Sequence, residues 1–219
     1  MARSPEAVLI LQLSALSGAA RLAVLARFRG IPAVRLDESW HRVSDEVRAA
    51  IVAGQTGAIG AVGDYLSGLV GAMVPVDSAP WVGRYGQISL DEWLAITPRA
   101  HAALLASGVT STEAAVATVT HLASAALSEP HRVGREATAV TAAADGRFVG
   151  WARVADPGAC PWCRRLATRG AVYTEASVTR TFGGLRYHRS CRCIAKAVPM
   201  AESGPASRRI RRATVPAAA

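Results

Sequence analysis

The chain has 219 residues, enough for one large domain or two modest ones with a buried core. Hydrophobic residues make up 51% of it but aromatic ones only 5%, and an apolar content made of Ala, Val and Leu favours helices over an aromatic-rich β sandwich. Charge is uneven: residues 1–145 carry 11 basic and 13 acidic side chains, residues 146–219 carry 14 and 3, so the C-terminal third suits a negatively charged partner, nucleic acid or an acidic protein surface.

In chain order, Ser4-Pro5-Glu6 is a helix start, with Ser at the N-cap and Pro at the first helical position, and Gly30-Ile31-Pro32 is its stop. The apolar run over 8–28 has no small-residue cleavage site before Arg21, so it reads as a soluble amphipathic helix rather than a leader. A second helix is predicted from Ser44-Asp45-Glu46, running into glycines at 54, 57, 60 and 63 and then 68 and 71. Three-residue spacing keeps the first four near one stripe, where another backbone can approach. The apolar stretch 49–74 is long enough to span a bilayer, but Gln55 and Asp64 lie within it, and no membrane partner is expected.

Residues 75–88 read as a Pro- and Gly-rich loop, and Ser89-Leu90-Asp91-Glu92 restarts a helix that should break near Pro98. The next helix opens at Thr110 or Ser111 ahead of Glu113, in the manner of a capping box, and a further one covers about 131–144. His101 and His121 have no neighbour at ligand spacing and are taken as packed or surface histidines. From Gly146 the texture changes: Phe148, Trp151 and Val154 punctuate a strand-like run, Asp156-Pro157-Gly158 makes a turn, and "CIAKAVPM" is a second short strand. The last residues, rich in Ala, Ser, Pro and Gly, cannot build a core and are predicted to be disordered.

All four cysteines fall between residues 160 and 193. Cys160-x-x-Cys163 can bite one metal ion, and 24 residues later comes His188-x-x-Cys191-x-Cys193. Five candidate ligands face a metal that takes four, so one is spare, with Cys191 and Cys193 as the first candidates for that position. CPWC also has the spacing of a thioredoxin-like redox pair, but the surrounding βαβ pattern is missing and two cysteines would be unexplained. Two disulfides would need an oxidising compartment, and without a secretion signal the expected site of synthesis is a reducing cytoplasm. The favoured reading is therefore a structural Zn2+ site. No HExxH spacing, Walker motif or Ser-His-Asp constellation accompanies it, and the acid candidates, Asp156 and Glu175, are not placed as a metalloenzyme would place its base, so no enzyme activity is expected.

"ACPWCRRLATRGAVYTE" followed by "YHRSCRCIAKAVP" resembles the C-terminal motif of the phage Mu F-like minor head proteins, in which C-x-x-C precedes H-x-x-C-R-C. The resemblance covers residues 146–199, and the arginine-dominated, Ala-rich character is similar to such proteins from tailed phages of high-GC actinobacteria. Trp151 and Tyr187 sit where the family tends to place aromatics, whereas the acidic residue directly before the first cysteine is here Ala159. The resemblance implies a minor capsid protein of head morphogenesis, made near the portal and protease genes and located inside the virion or at its portal vertex.

The expected fold is mainly α: a helical body over 1–145, a small zinc-stapled α+β module over 146–199, and a basic tail over 200–219. Cys160, Cys163, His188, Cys191 and Cys193 are the candidate ligands, four of the five being used. Arg164, Arg165, Arg189, Arg192, Arg208, Arg209, Arg211 and Arg212 are candidates for contact with packaged DNA or an acidic partner. Expected partners are the portal, other capsid proteins and further copies of the chain. The alternative is a non-enzymatic DNA-binding zinc module of regulatory or chromosomal type.

Overall fold

Ser4 and Pro5 open the first helix as their chemistry dictates: α1 spans Pro5–Arg27, and the Ser4 hydroxyl accepts the Ala7 N–H at 3.2 Å. The structure is a computed structural model that describes residues 3–171, 173 and 191–202. Along it follow α2 (Leu36–Val70), a hairpin of β1 (Arg84–Tyr85) and β2 (Ile88–Ser89), α3 (Leu90–Ala106), α4 (Ser111–Ala144), β3 (Phe148–Val154), α5 (Pro161–Ala167) and β4 (Ile194–Pro199). Helix accounts for 67% of it, so the fold is mainly α with a small strand-containing part. His188, Arg189, Tyr187, Glu175 and the tail arginines Arg208, Arg209, Arg211 and Arg212 lie outside the described residues, as does the disorder expected of the tail.

Several helix boundaries differ from those expected. Helix α2 begins eight residues before Ser44, with Asp37 and Glu38 in its first turn. Ser44 turns its hydroxyl back onto the His41 carbonyl at 3.5 Å, a contact made within a helix rather than at its start. Pro98 does not break α3, because Leu90, Trp93, Leu94, Thr97 and His101 bury one continuous face across it. Pro130 likewise lies inside a single 34-residue α4, where two helices were predicted. In contrast, the start signals of α3 and α4 hold. Ser89 and Glu92 make a reciprocal capping box, and Thr110, not Ser111, does the same with Glu113, its hydroxyl accepting the Glu113 N–H at 3.3 Å while Glu113 accepts the Thr110 N–H at 3.1 Å.

Contacts divide the chain into two compact units, one of Met1–Ser14, Ala58–Asp77 and His131–Ala219, the other of Ala15–Gly57 and Ser78–Pro130. The second unit is built on Val24, Val47, Ile51, Leu90, Trp93, Leu94 and Leu122. Tyr85 stacks on Trp93 at 4.2 Å. Fully buried Gln55 ties the hairpin to α4 by donating to the Arg84 carbonyl and to Glu129, both at 2.7 Å, and accepting the Gly83 N–H at 2.9 Å. The glycine stripe is used only in part: Gly54 meets Pro130 and Ala20, and Gly57 meets Leu16, whereas Gly60 and Gly68 face open space.

The first unit packs Leu9, Leu13, Val62, Leu66 and Val133, all at or below 1% exposure. Helix α1 is long and apolar enough to cross a membrane by length and composition, with 33% of that window buried. Strands β3 and β4 pair antiparallel, from Phe148 opposite Pro199 to Val154 opposite Ile194, with an irregularity between Phe148 and Gly150. Buried Glu6 meets Lys196 of β4 at 3.0 Å, which offsets the cost of taking both charges out of water.

Candidate metal centre

The turn that leads into the cysteines is held by Asp156. Its Oδ1 accepts the Gly158 N–H at 2.8 Å and the Arg192 guanidinium at 3.0 Å, and its carbonyl accepts the Ala159 N–H at 2.8 Å. Cys160 then caps α5: its Sγ accepts the Cys163 N–H at 3.4 Å, and Pro161 at the first helical position sets the entry. One helical turn later Cys163 points into the interior. From the other side, the segment 191–193 that leads into β4 alternates in burial, with Cys191 and Cys193 inside and Arg192 outside, where it meets Asp156.

The result is a cluster in which the sulfurs of Cys163, Cys191 and Cys193 all lie within 4.8 Å of one another. Their exposures are 3%, 4% and 3%, and the less buried Cys160 packs against the same group with Ala159. Cys163 Sγ and Cys191 Sγ are 3.6 Å apart, and no disulfide joins any of the four cysteines. Tetrahedral coordination with metal–sulfur bonds of about 2.3 Å places neighbouring sulfurs about 3.8 Å apart, so the observed spacing is that of a thiolate site. The donor set fits a metal ion.

Electrostatics favour anionic sulfur at one member. Hydrogen bonding from the Cys193 side chain, against the cost of burial and together with the Cys193 N–H and the Arg135 charge, holds the Cys191 thiol down at about 5. Burial, followed by the charge of Cys191, pushes Cys163 up to about 12. Cys193 is also raised, first by its hydrogen bond to Cys191 and then by burial, although the Asp156 N–H pulls the other way. Backbone N–H groups thus point at Cys160, Cys191 and Cys193, and such N–H donors stabilise the thiolate form that a metal requires.

The structure therefore brings together all four sequence-predicted cysteines, and both Cys191 and Cys193, the residues between which a spare ligand was sought, belong to the tightest group. Of the candidate arginines, Arg164 donates to the Ala159 carbonyl at 2.7 Å, Arg165 is exposed, and Arg192 is engaged with Asp156. His101 is buried on Thr118 at 3.0 Å, and His121 rests against Trp93 with ring centroids 5.6 Å apart. Sequence reasoning missed Arg135, 56 and 58 residues before the carbonyls of Cys191 and Cys193 to which it donates. A single arginine in a long Ala-rich helix carries no local signal of that role.

The chain is thus a mainly helical protein in which buried thiols from a short helix and the approach to a strand form a cluster that could hold a metal ion. The VG15 protein family matches residues 95–210, more than half of the chain, and the chain belongs to this phage-associated family. No curated protein and no solved structure matches it.

Proposed function

We propose that the chain is a structural minor capsid protein of a tailed phage, acting in head morphogenesis near the portal, with Zn2+ bound by Cys160, Cys163, Cys191 and Cys193. The grouping of three buried thiols within 4.8 Å of one another, with Cys160 packed against them, carries the zinc part of this reading. Membership of a phage-associated family, on a mainly helical fold, supports the capsid part. The metal would serve as a cross-link for a two-stranded sheet that is too small to be stable alone. The proposed role is non-catalytic, a reading supported by the engagement of Asp156, the acid candidate among the described residues, with Gly158 and Arg192.

Mass spectrometry of purified particles tests the location. A few copies per particle, retained with the portal vertex, are expected, and absence from mature particles and proheads alike sinks the capsid reading. Metal analysis of reduced protein tests the clamp: about one zinc per chain is expected, and less than half an equivalent overturns it. Cobalt substitution separates the ligands. Cys160→Ser should reduce the thiolate-to-metal charge-transfer band by about a quarter, one sulfur of four, while His188→Ala leaves it unchanged. A charge-transfer band unchanged in Cys160→Ser, with the d–d bands displaced in His188→Ala, would make His188 the fourth ligand.

A further inference from the structure

We infer that Arg135 of α4 is a positioning residue of the thiolate site, which sets the C-x-C segment from the outside and balances the charge of the loaded centre. This rests on the metal reading above. Arg135 is 8% exposed, and its Nη1 donates to the carbonyl of Cys191 at 3.0 Å and to that of Cys193 at 3.4 Å. Cys191 and Cys193 are buried while Arg192 between them is exposed. One guanidinium bonded to the carbonyls on both sides of Arg192 fixes this segment in the arrangement that brings both sulfurs into the cluster. Arg192, between them, is drawn to Asp156 on the opposite side, which opposes rotation of the segment.

Charge points to the same role. A divalent ion with four thiolates carries two net negative charges, and burying either those charges or an arginine cation away from water is costly. Placing Arg135 behind two of those ligands lowers the cost of both. Both bonds leave the one nitrogen Nη1, which the guanidinium plane holds in place, whereas a lysine ammonium turns freely on a flexible stem, so lysine replaces the charge but holds the two carbonyls less firmly.

The experiment compares full-length wild type, Arg135→Gln, Arg135→Lys and, as control, Arg153→Gln, which removes another buried arginine, one that lies over the Tyr173 ring at 5.5 Å. Zinc affinity is read by competition with a chromophoric chelator, and site geometry by the cobalt charge-transfer and d–d bands. Arg135→Gln should bind zinc about 10- to 100-fold more weakly, the usual loss for an outer-shell partner. Arg135→Lys should fall between it and wild type, with a shifted d–d envelope, and Arg153→Gln should stay within about twofold of wild type. If Arg135→Gln does not fold, Arg135→Lys alone decides. Wild-type affinity in whichever variant decides, or an equal loss in Arg153→Gln, overturns the assignment while leaving the zinc site standing. A wild-type protein that takes up no zinc would instead remove the metal reading itself.

Discussion

His131 shows how much a single buried ring can cost. It is 1% exposed, its Nε2 lies 3.4 Å from the Ser14 hydroxyl, and its Nδ1 has no hydrogen-bond partner among the described residues. Burial, then the charges of Arg135 and Arg192, lowers its pKa to about 3, against the opposing pull of Asp156. In the unfolded chain the ring takes up a proton near pH 6.5, whereas in the folded chain it does so only near 3. Between those values the unfolded state binds more protons, so stability falls as pH falls, by at most about 1.4 kcal/mol per pH unit from this group. Thiolate protonation adds its own acid sensitivity, so the comparison must be internal. Urea midpoints of wild type and His131→Asn from pH 7 to about 4 should converge as the medium is acidified. Parallel curves would refute the assignment.

At the scale of elements, the glycines of α2 separate into those a neighbour requires and those it does not. A Cβ on Gly54 would stand 3.0 Å from Pro130 Cγ and 3.3 Å from Ala20 Cβ, neither of which can swing away. Gly54→Ala should therefore destabilise by about 1–3 kcal/mol, the usual cost of overpacking. At Gly60 nothing lies within 4 Å, and Gly60→Ala should stabilise by about 0.5–1 kcal/mol through helix propensity. Thermal melts of the two variants should shift in opposite directions. Ser89→Ala removes a cap that accepts the Glu92 N–H at 3.1 Å and should cost about 1 kcal/mol in the same measurement. The capping boxes were legible because both partners lie three residues apart; the continuity of α3 and α4 through Pro98 and Pro130 was not, because distant packing decides whether a missing N–H is tolerated.

At the scale of the whole molecule, the two compact units depend on different chemistry. The core of Val24, Ile51, Leu90, Trp93 and Leu122 contains no thiol, whereas the strand pair β3–β4 leads directly out of Cys191 and Cys193. With zinc bound as proposed, stripping it with a strong chelator should raise amide exchange at Trp151, Arg153 and Ala195 by tenfold or more. Leu94 and Leu122 should stay within about twofold. Uniform loss of protection would show that the metal supports the entire fold, and no change would show that it supports neither unit.

By itself the sequence determined what depends on near neighbours: helical texture, the caps at Ser4, Ser89 and Thr110, the turn at Asp156-Pro157-Gly158, and the two halves of a ligand motif recognisable by spacing. It also held the charge partition, since composition needs no coordinates. Tertiary structure alone decided that Cys191 and Cys193 both turn inward, that Arg135 grasps the carbonyls between which Arg192 stands, and which glycines face a neighbour. Each of those outcomes joins residues far apart in the chain. The closing of such loops is driven by burial and charge pairing summed over the whole packed unit, which no local window contains.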